Sequence, residues 1–90
     1  MEFSYNKQKI IVTSNPTVQK KSLVDYLAQG YIERDGEKIP CRIGFNKFSD
    51  KLEPAYIFID NGITESGNHY DAETINIDGL TEDLSDDIDI

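Results

Sequence analysis

Carboxylates are the residues of this chain whose number and spacing could do chemistry. Residues 52–90 contain eleven Asp or Glu and no Lys or Arg, whereas residues 1–51 contain nine basic and six acidic side chains. Residues 1–51 therefore carry a formal charge of +3 (9 − 6) and residues 52–90 a formal charge of −11, which sum to −8. Such asymmetry indicates interaction with a charged polymer or with a protein that handles one. A solvated surface that only keeps the protein soluble is the alternative interpretation.

The other residue types do not indicate catalysis or metal binding. His69 is the single histidine, and no Ser or Cys stands at a spacing that would mark it as a general base. One His and one Cys, Cys41, cannot form a zinc site. A calcium loop starting at Asp60 would need glycine at its sixth position, where Glu65 stands. We therefore predict a protein that is not an enzyme and has no catalytic residues, no metal and no cofactor.

The acidic residues instead form two groups that could imitate the phosphates of a nucleic acid. Carboxylates two residues apart on a strand lie on one face, and those one helical turn apart lie about 6 Å from each other. A folded acidic surface can therefore compete for the Lys and Arg that read DNA or RNA. We expect the partner to be a basic nucleic-acid-binding protein such as a host nuclease. The predicted partner-binding residues are Asp60, Glu65, Asp71, Glu73 and Asp78 in the body, and Glu82, Asp83, Asp86, Asp87 and Asp89 beyond it.

In size and charge the chain resembles the small acidic inhibitors that phages and mobile elements make against CRISPR, restriction or repair enzymes. This resemblance is one of composition. It implies an anti-CRISPR or anti-restriction role, a phage or mobile-element origin, and action in the cytoplasm of the host cell. The chain has no N-terminal apolar run, so we also expect a cytoplasmic protein without a membrane partner.

The last residues carry a second resemblance. Residues 86–90, Asp-Asp-Ile-Asp-Ile, resemble the C-terminal tips of bacterial and phage single-strand DNA-binding proteins, where an acidic run ends in a hydrophobic residue. This resemblance implies an OB-like body that stacks bases on exposed aromatic rings and follows the phosphates with cations. The candidates are Tyr5, Tyr26, Tyr31, Phe48, Tyr56 and Tyr70 for stacking, and Lys7, Lys9, Lys20, Lys21, Arg34, Lys38 and Arg42 for the phosphates.

A single small domain must position these residues. Residues 1–79 are predicted to be an α+β domain with a mostly antiparallel sheet of about six short strands and one short helix, or else a partly open barrel. Residues 80–90 are predicted to be an acidic amphipathic segment. Its Leu80, Leu84 and Ile88 are spaced for one helical stripe, although like charges four residues apart oppose a helix.

Turn chemistry predicts the strands. Asp35-Gly36 favours a hairpin that pairs Arg34 with Glu37, Glu33 with Lys38 and Ile32 with Ile39. Other strands are predicted at 3–5, 9–13, 55–60, 63–65 and 73–77, with turns at 6–8 and at Asn61-Gly62 and a polar loop at 46–54. One face of the second hairpin strand should be core, namely Ile39, Cys41, Ile43 and Phe45.

The predicted helix runs from Ser22 to Gly30. Leu23, Val24, Leu27 and Ala28 fall on one arc of a helical wheel. Ser22 with Asp25 three residues later is typical of a helix start, and glycine is typical of the position that ends a helix.

Overall fold

A computed structural model describes residues 1–20 and 23–77. These residues form strands, turns and loops, and none of them is helical. The α+β prediction is therefore wrong, and the described part of the chain is all-β. Its nine strands are β1 (Glu2–Tyr5), β2 (Gln8–Val12), β3 (Thr17–Val18), β4 (Tyr26–Arg34), β5 (Glu37–Phe48), β6 (Lys51–Ile59), β7 (Gly62–Ile63), β8 (His69–Tyr70) and β9 (Glu73–Asn76).

Seven of these strands form one antiparallel sheet that curls into a half-barrel. The order across the sheet is β1-β2-β4-β5-β6-β9. β3 pairs with the start of β4, with Thr17 opposite Leu27, while β2 pairs with the later part of the same edge, with Val12 opposite Gly30. β7 and β8 form a separate two-stranded sheet. Two-residue turns at 6–7, 35–36 and 49–50 join β1 to β2, β4 to β5 and β5 to β6, and each of these pairs is an antiparallel hairpin.

The helix predicted at 22–30 is absent from its described residues, and most of that segment belongs to β4. Residues of β4 alternate between the two faces of the sheet, with Ala28 and Ile32 almost fully buried and Gln29 exposed. Gly30 does not end a helix, because it lies inside the strand where a Cβ atom would collide with the Ile11 carbonyl oxygen. A two-turn helix is marginal on its own, whereas β4 pairs along its length with neighbours on both sides.

Asp25, predicted to support the helix start, has a different role. Its carboxylate accepts a hydrogen bond from the Lys47 backbone N–H at 2.9 Å, and its own N–H donates to the Phe45 carbonyl at 3.0 Å. Asp25 therefore extends the pairing of β4 with β5 by one residue before the start of β4. Ser22, the other predicted helix-start residue, lies outside the described residues.

The two hairpins nearest the N-terminus are confirmed. Asn6 and Lys7, with φ of 52° and 64°, form the turn between β1 and β2. Gln8, predicted to belong to this turn, is instead the first residue of β2 and lies opposite Tyr5. Asp35 and Gly36, with φ of 52° and 79°, join β4 to β5. The register is the predicted one: Arg34 opposite Glu37, Glu33 opposite Lys38 and Ile32 opposite Ile39.

Two later turn predictions are wrong. Residues 46–54 are not a polar loop, because β5 continues to Phe48, β6 begins at Lys51, and Ser49 with φ of 58° lies in the turn between them. Asn61-Gly62 does not return the chain beside β6, because Gly62 pairs with Tyr70 of β8 instead. The strand pattern in 46–54 was hidden because most of these side chains are polar, and residues 47–51, where β5 meets β6, are solvent-exposed.

The core lies on the inner face of the curled sheet. The predicted core face of β5 is confirmed, since Ile39, Cys41, Ile43 and Phe45 are each no more than 5% exposed. Burial of each such aliphatic or aromatic side chain contributes about 1.5–3 kcal/mol before entropic costs. Among residues 1–20 and 23–77, the core cluster is Ile10, Ala28, Ile32, Ile39, Cys41, Ile43, Phe45, Ile57, Ile59 and Ile77.

Among the described residues, no helix is long and apolar enough to cross a membrane.

Candidate functional site

An acidic cleft of about 920 Å³ lies at the end of the sheet where the Asp35-Gly36 turn joins β4 to β5. We call it the mouth cleft. One wall is this turn, the other is formed by residues of the segment 64–73, and Ile39 of the core lies at its base. Its charged side chains are one guanidinium, Arg34, and four carboxylates, so its formal charge is −3 (1 − 4) with His69 neutral. The four carboxylates are Asp35, Glu37, Asp71 and Glu73.

Arg34 connects three strands at the mouth cleft. Its Nε donates a hydrogen bond to Gln8 Oε1 on β2 at 2.9 Å, and its Nη1 donates to Glu73 Oε1 on β9 at 3.2 Å. Arg34 follows the inward-facing Ala28 and Ile32 at even spacing on β4, so its side chain reaches across the inner face. The contact orients the Glu73 carboxylate and balances part of the negative charge of the cleft.

Glu37 is held by the opposite wall. Its carboxylate accepts hydrogen bonds from the Thr64 hydroxyl at 2.9 Å and the Asn68 side-chain amide at 3.1 Å. Hydrogen bonds from the side chains of Ser66, Asn68 and Thr64 lower the pKa of Glu37 from its ordinary value of 4.5, and desolvation opposes them only in part. The carboxylate is therefore anionic at neutral pH and fixed in position.

The structure brings together only some of the ten predicted partner-binding residues. Asp71 and Glu73 both line the mouth cleft. Glu65 lies beside it in a smaller depression that Glu37 also lines. Asp60 lies apart, because its carboxylate is paired with the Arg42 guanidinium at 3.3 Å. The remaining six lie outside the described residues: Asp78, Glu82, Asp83, Asp86, Asp87 and Asp89.

Sequence reasoning missed two of the four cleft carboxylates. The local pattern predicts cross-strand pairing with Arg34 for Glu37 and only a turn position for Asp35. In the structure Arg34 is turned toward β9, and Glu37 contacts Thr64 and Asn68. The signal that could have found them is the sequence Asp35-Gly36-Glu37, which places two acids at an exposed hairpin tip.

A second surface lies on the outer face of the sheet, where aromatic rings and cations alternate across β4, β5 and β6. The Tyr56 and Phe58 rings stack with centroids 5.8 Å apart and an angle of 10°. The Arg42 guanidinium lies 5.6 Å from the Phe58 centroid, and Lys38 Nζ lies 4.9 Å from that of Tyr31. We call these five residues the outer band. Arg42 Nε is buried there without a hydrogen-bond partner among the described residues.

The other aromatic and cationic candidates for nucleic-acid binding are dispersed. Tyr5, Tyr26 and Tyr70 are half-buried against the inner core. Their rings therefore pack against core side chains and do not offer a free face for stacking on bases. Phe48 is 55% exposed but lies near the β5–β6 turn, at the opposite end of β5 from the mouth cleft. Arg34 lies in the mouth cleft rather than on the outer face.

Within residues 1–20 and 23–77, no group of three or more His, Cys, Asp or Glu side chains is arranged to hold a metal ion. Cys41 faces the core, and burial raises the pKa of its thiol to about 11. The features of the described residues that bear on function are therefore the geometry and charge of the mouth cleft and the outer band.

Comparison of the chain with protein-family models, curated proteins and solved structures finds no match in any of the three.

Proposed function

We propose that this protein is a small acidic inhibitor, phage- or mobile-element-encoded, that blocks a DNA- or RNA-handling enzyme of the host cell. Its carboxylates imitate nucleic-acid phosphates and occupy the basic groove of that enzyme, as an anti-CRISPR or anti-restriction protein would. The observation that carries this proposal is the concentration of four carboxylates around one guanidinium in the mouth cleft. The inhibitor acts in the host cytoplasm by binding and needs no catalytic residue, metal or cofactor.

Preorganisation supports the mouth cleft as the centre of the inhibitory surface. Glu37 is held by side chains of the opposite wall, and Glu73 is held by Arg34. Charges already fixed in place lose little side-chain entropy when they meet the cations of a partner. Asp60 contributes less, because it lies outside the mouth cleft, beside Arg42 of the outer band.

An inhibition assay with charge-neutralised variants tests the proposal. The purified protein is added to a panel of CRISPR and restriction nucleases cleaving labelled DNA. The variant Asp35→Asn/Asp71→Asn removes two cleft charges. The control Asp50→Asn/Glu53→Gln removes two charges at the far end of β5 and β6, roughly 35 Å away at 3.3 Å per residue.

We expect the cleft variant to inhibit about tenfold or more weakly at low salt, and the control variant to inhibit nearly as well as the wild type. The difference should shrink as salt is raised, because exposed charges are screened. Equal loss in the two variants would contradict a role for the mouth cleft and leave only a general effect of net charge. Undiminished inhibition by the cleft variant would contradict the proposal directly.

The outer band favours a second candidate function, binding of single-stranded DNA. Proteins of that kind combine aromatic rings that stack on bases with cations that follow the phosphates. Tyr31, Tyr56 and Phe58 supply three half-exposed rings beside Lys38 and Arg42. The pairing of Arg42 with Asp60 weakens this candidate, because it removes one of the two cations from phosphate binding.

Fluorescence anisotropy with a labelled oligothymidine at low salt distinguishes the two functions. Direct DNA binding predicts an affinity that falls steeply with salt and is lost in Lys38→Gln/Arg42→Gln. The matched control is Lys47→Gln/Lys51→Gln, which removes two exposed cations elsewhere on the same sheet. If the wild type does not bind the oligonucleotide, the second function is excluded and the inhibitor remains.

A further inference from the structure

The β7–β8 hairpin is joined to the main sheet by side-chain contacts rather than by strand pairing. Its strands form a separate sheet in which Gly62 lies opposite Tyr70 and Ile63 opposite His69. Residues of the tip that connects them line the mouth cleft. The tip can therefore move without breaking the ladder hydrogen bonds of the seven-stranded sheet.

Glu37 of β5 attaches this tip to the body. The Thr64 hydroxyl donates to one carboxylate oxygen and the Asn68 amide to the other, at 2.9 and 3.1 Å. Two donors from one short segment thus converge on a single carboxylate, and Ser66 between them lines the same cleft.

Thr64 links this attachment to the backbone of the hairpin. Its hydroxyl accepts a hydrogen bond from the Asn68 backbone N–H at 3.0 Å while it donates to Glu37. Thr64 is 7% exposed, and its own N–H donates to the Asn68 carbonyl at 2.8 Å. Loss of the Glu37 acceptor therefore loosens the turn as well as its attachment.

The ends of the hairpin are anchored while the tip is exposed. Asp60, just before β7, is paired with Arg42. Tyr70 packs against the inner core and covers Gly62, where an added Cβ would lie 2.5 Å from the Tyr70 hydroxyl. By contrast, residues 65–69 are exposed, and Gly67 has a φ of +91°. Motion should therefore be confined to residues 63–69.

We propose that residues 63–69 are a lid on the mouth cleft and that the Glu37 carboxylate is the latch that holds the lid closed. When the lid opens, the carboxylate loses both donors and becomes a free negative charge in the cleft. A cation that enters the cleft then competes with Thr64 and Asn68 for the same oxygens. The inference concerns the fold and stands whether or not the cleft binds a basic enzyme.

Amide hydrogen exchange measured by NMR on the full chain tests the latch. The reporters are the N–H groups of Thr64, Gly67 and Asn68, which are hydrogen-bonded within the lid. Glu37→Ala removes the latch and Thr64→Val removes one of its donors, so both variants should exchange about tenfold faster than the wild type at the Thr64 and Gly67 amides. The Asn68 amide reports on the latch only in Glu37→Ala, because Thr64→Val deletes the acceptor of that N–H. The control Glu65→Gln changes an exposed acid in the same segment and should leave the rates unchanged.

Core amides separate lid opening from general destabilisation. The N–H groups of Ile43 and Ile57 should keep their wild-type exchange in both latch variants, because they belong to the main sheet. Unchanged exchange at the lid amides in both latch variants would overturn the proposal. Equal acceleration at lid and core amides would also overturn it, because the variants would then unfold the whole domain. If Glu37→Ala fails to fold, Thr64→Val decides the question alone.

Discussion

The guanidinium of Arg34 on β4 lies 3.2 Å from the carboxylate of Glu73 on β9, across the inner face of the sheet. Two strands, β5 and β6, separate β4 from β9 in the sheet order, so the side chains meet only because the sheet curls. Arg34 also donates to Gln8 on β2 at 2.9 Å. The Arg34 side chain thus joins β2, β4 and β9 beside the mouth cleft.

A double-mutant cycle measures this contact. Arg34→Gln and Glu73→Gln should each lower the free energy of unfolding in urea. Their coupling should be about 0.5–1 kcal/mol, because the side chains are 28% and 45% exposed and solvent screens the pair. A coupling of zero would show that the pair does not connect the strands. Glu53→Gln on β6 controls for the loss of a negative charge.

Stability should depend on Glu37 at acid pH. Its pKa is lowered in the folded state, so its contribution is fully present above the ordinary value of 4.5 and is lost as the pH falls through the folded pKa. Urea denaturation between pH 7 and pH 3 should show a steeper loss below pH 4.5 in the wild type than in Glu37→Gln. Parallel curves for the two proteins would contradict the hydrogen-bonded carboxylate.

Gly30→Ala tests the position of β4. An added Cβ at Gly30 would collide with the backbone carbonyl of Ile11, which cannot move without disturbing the pairing of β2 with β4. We expect a loss of about 3 kcal/mol or more in the free energy of unfolding. Gly44→Ala should cost about 1–3 kcal/mol, because its nearest obstacle is the Val24 side chain at 2.5 Å, which can shift. A neutral or stabilising Gly30→Ala would contradict the close approach of β2 to β4 at this position.

Cys41 should be inert in the folded protein. It is 5% exposed, and burial raises the pKa of its thiol to about 11, so at pH 8 only about one molecule in a thousand carries a thiolate. Modification by iodoacetamide, followed by mass spectrometry, should be slow in buffer and fast in concentrated urea. Rapid modification in buffer would show that the inner face opens often.

Local turn chemistry accounts for the part of the fold that could be predicted. The hairpins at Asn6-Lys7 and Asp35-Gly36 are recognisable because their turn residues and cross-strand partners lie within a few positions of each other in the chain. The inward face of β5 is recognisable for a similar reason, since a period of two is a local pattern. The helix prediction failed because Leu23, Val24, Leu27 and Ala28 fit a helical arc locally, while pairing with β2 and β5 favours a strand.

The amino-acid sequence by itself determined the charge imbalance, the lone buried cysteine and the hairpins, since these depend on composition and on near neighbours. The tertiary structure decided which carboxylates share a surface. Asp71 and Glu73 come together with Asp35 and Glu37 because the sheet curls and the segment 64–73 folds back over the β4–β5 turn. Asp60 is set apart by its pairing with Arg42. Contacts between residues 18 to 39 positions apart depend on the path of the whole chain, and no local pattern encodes them.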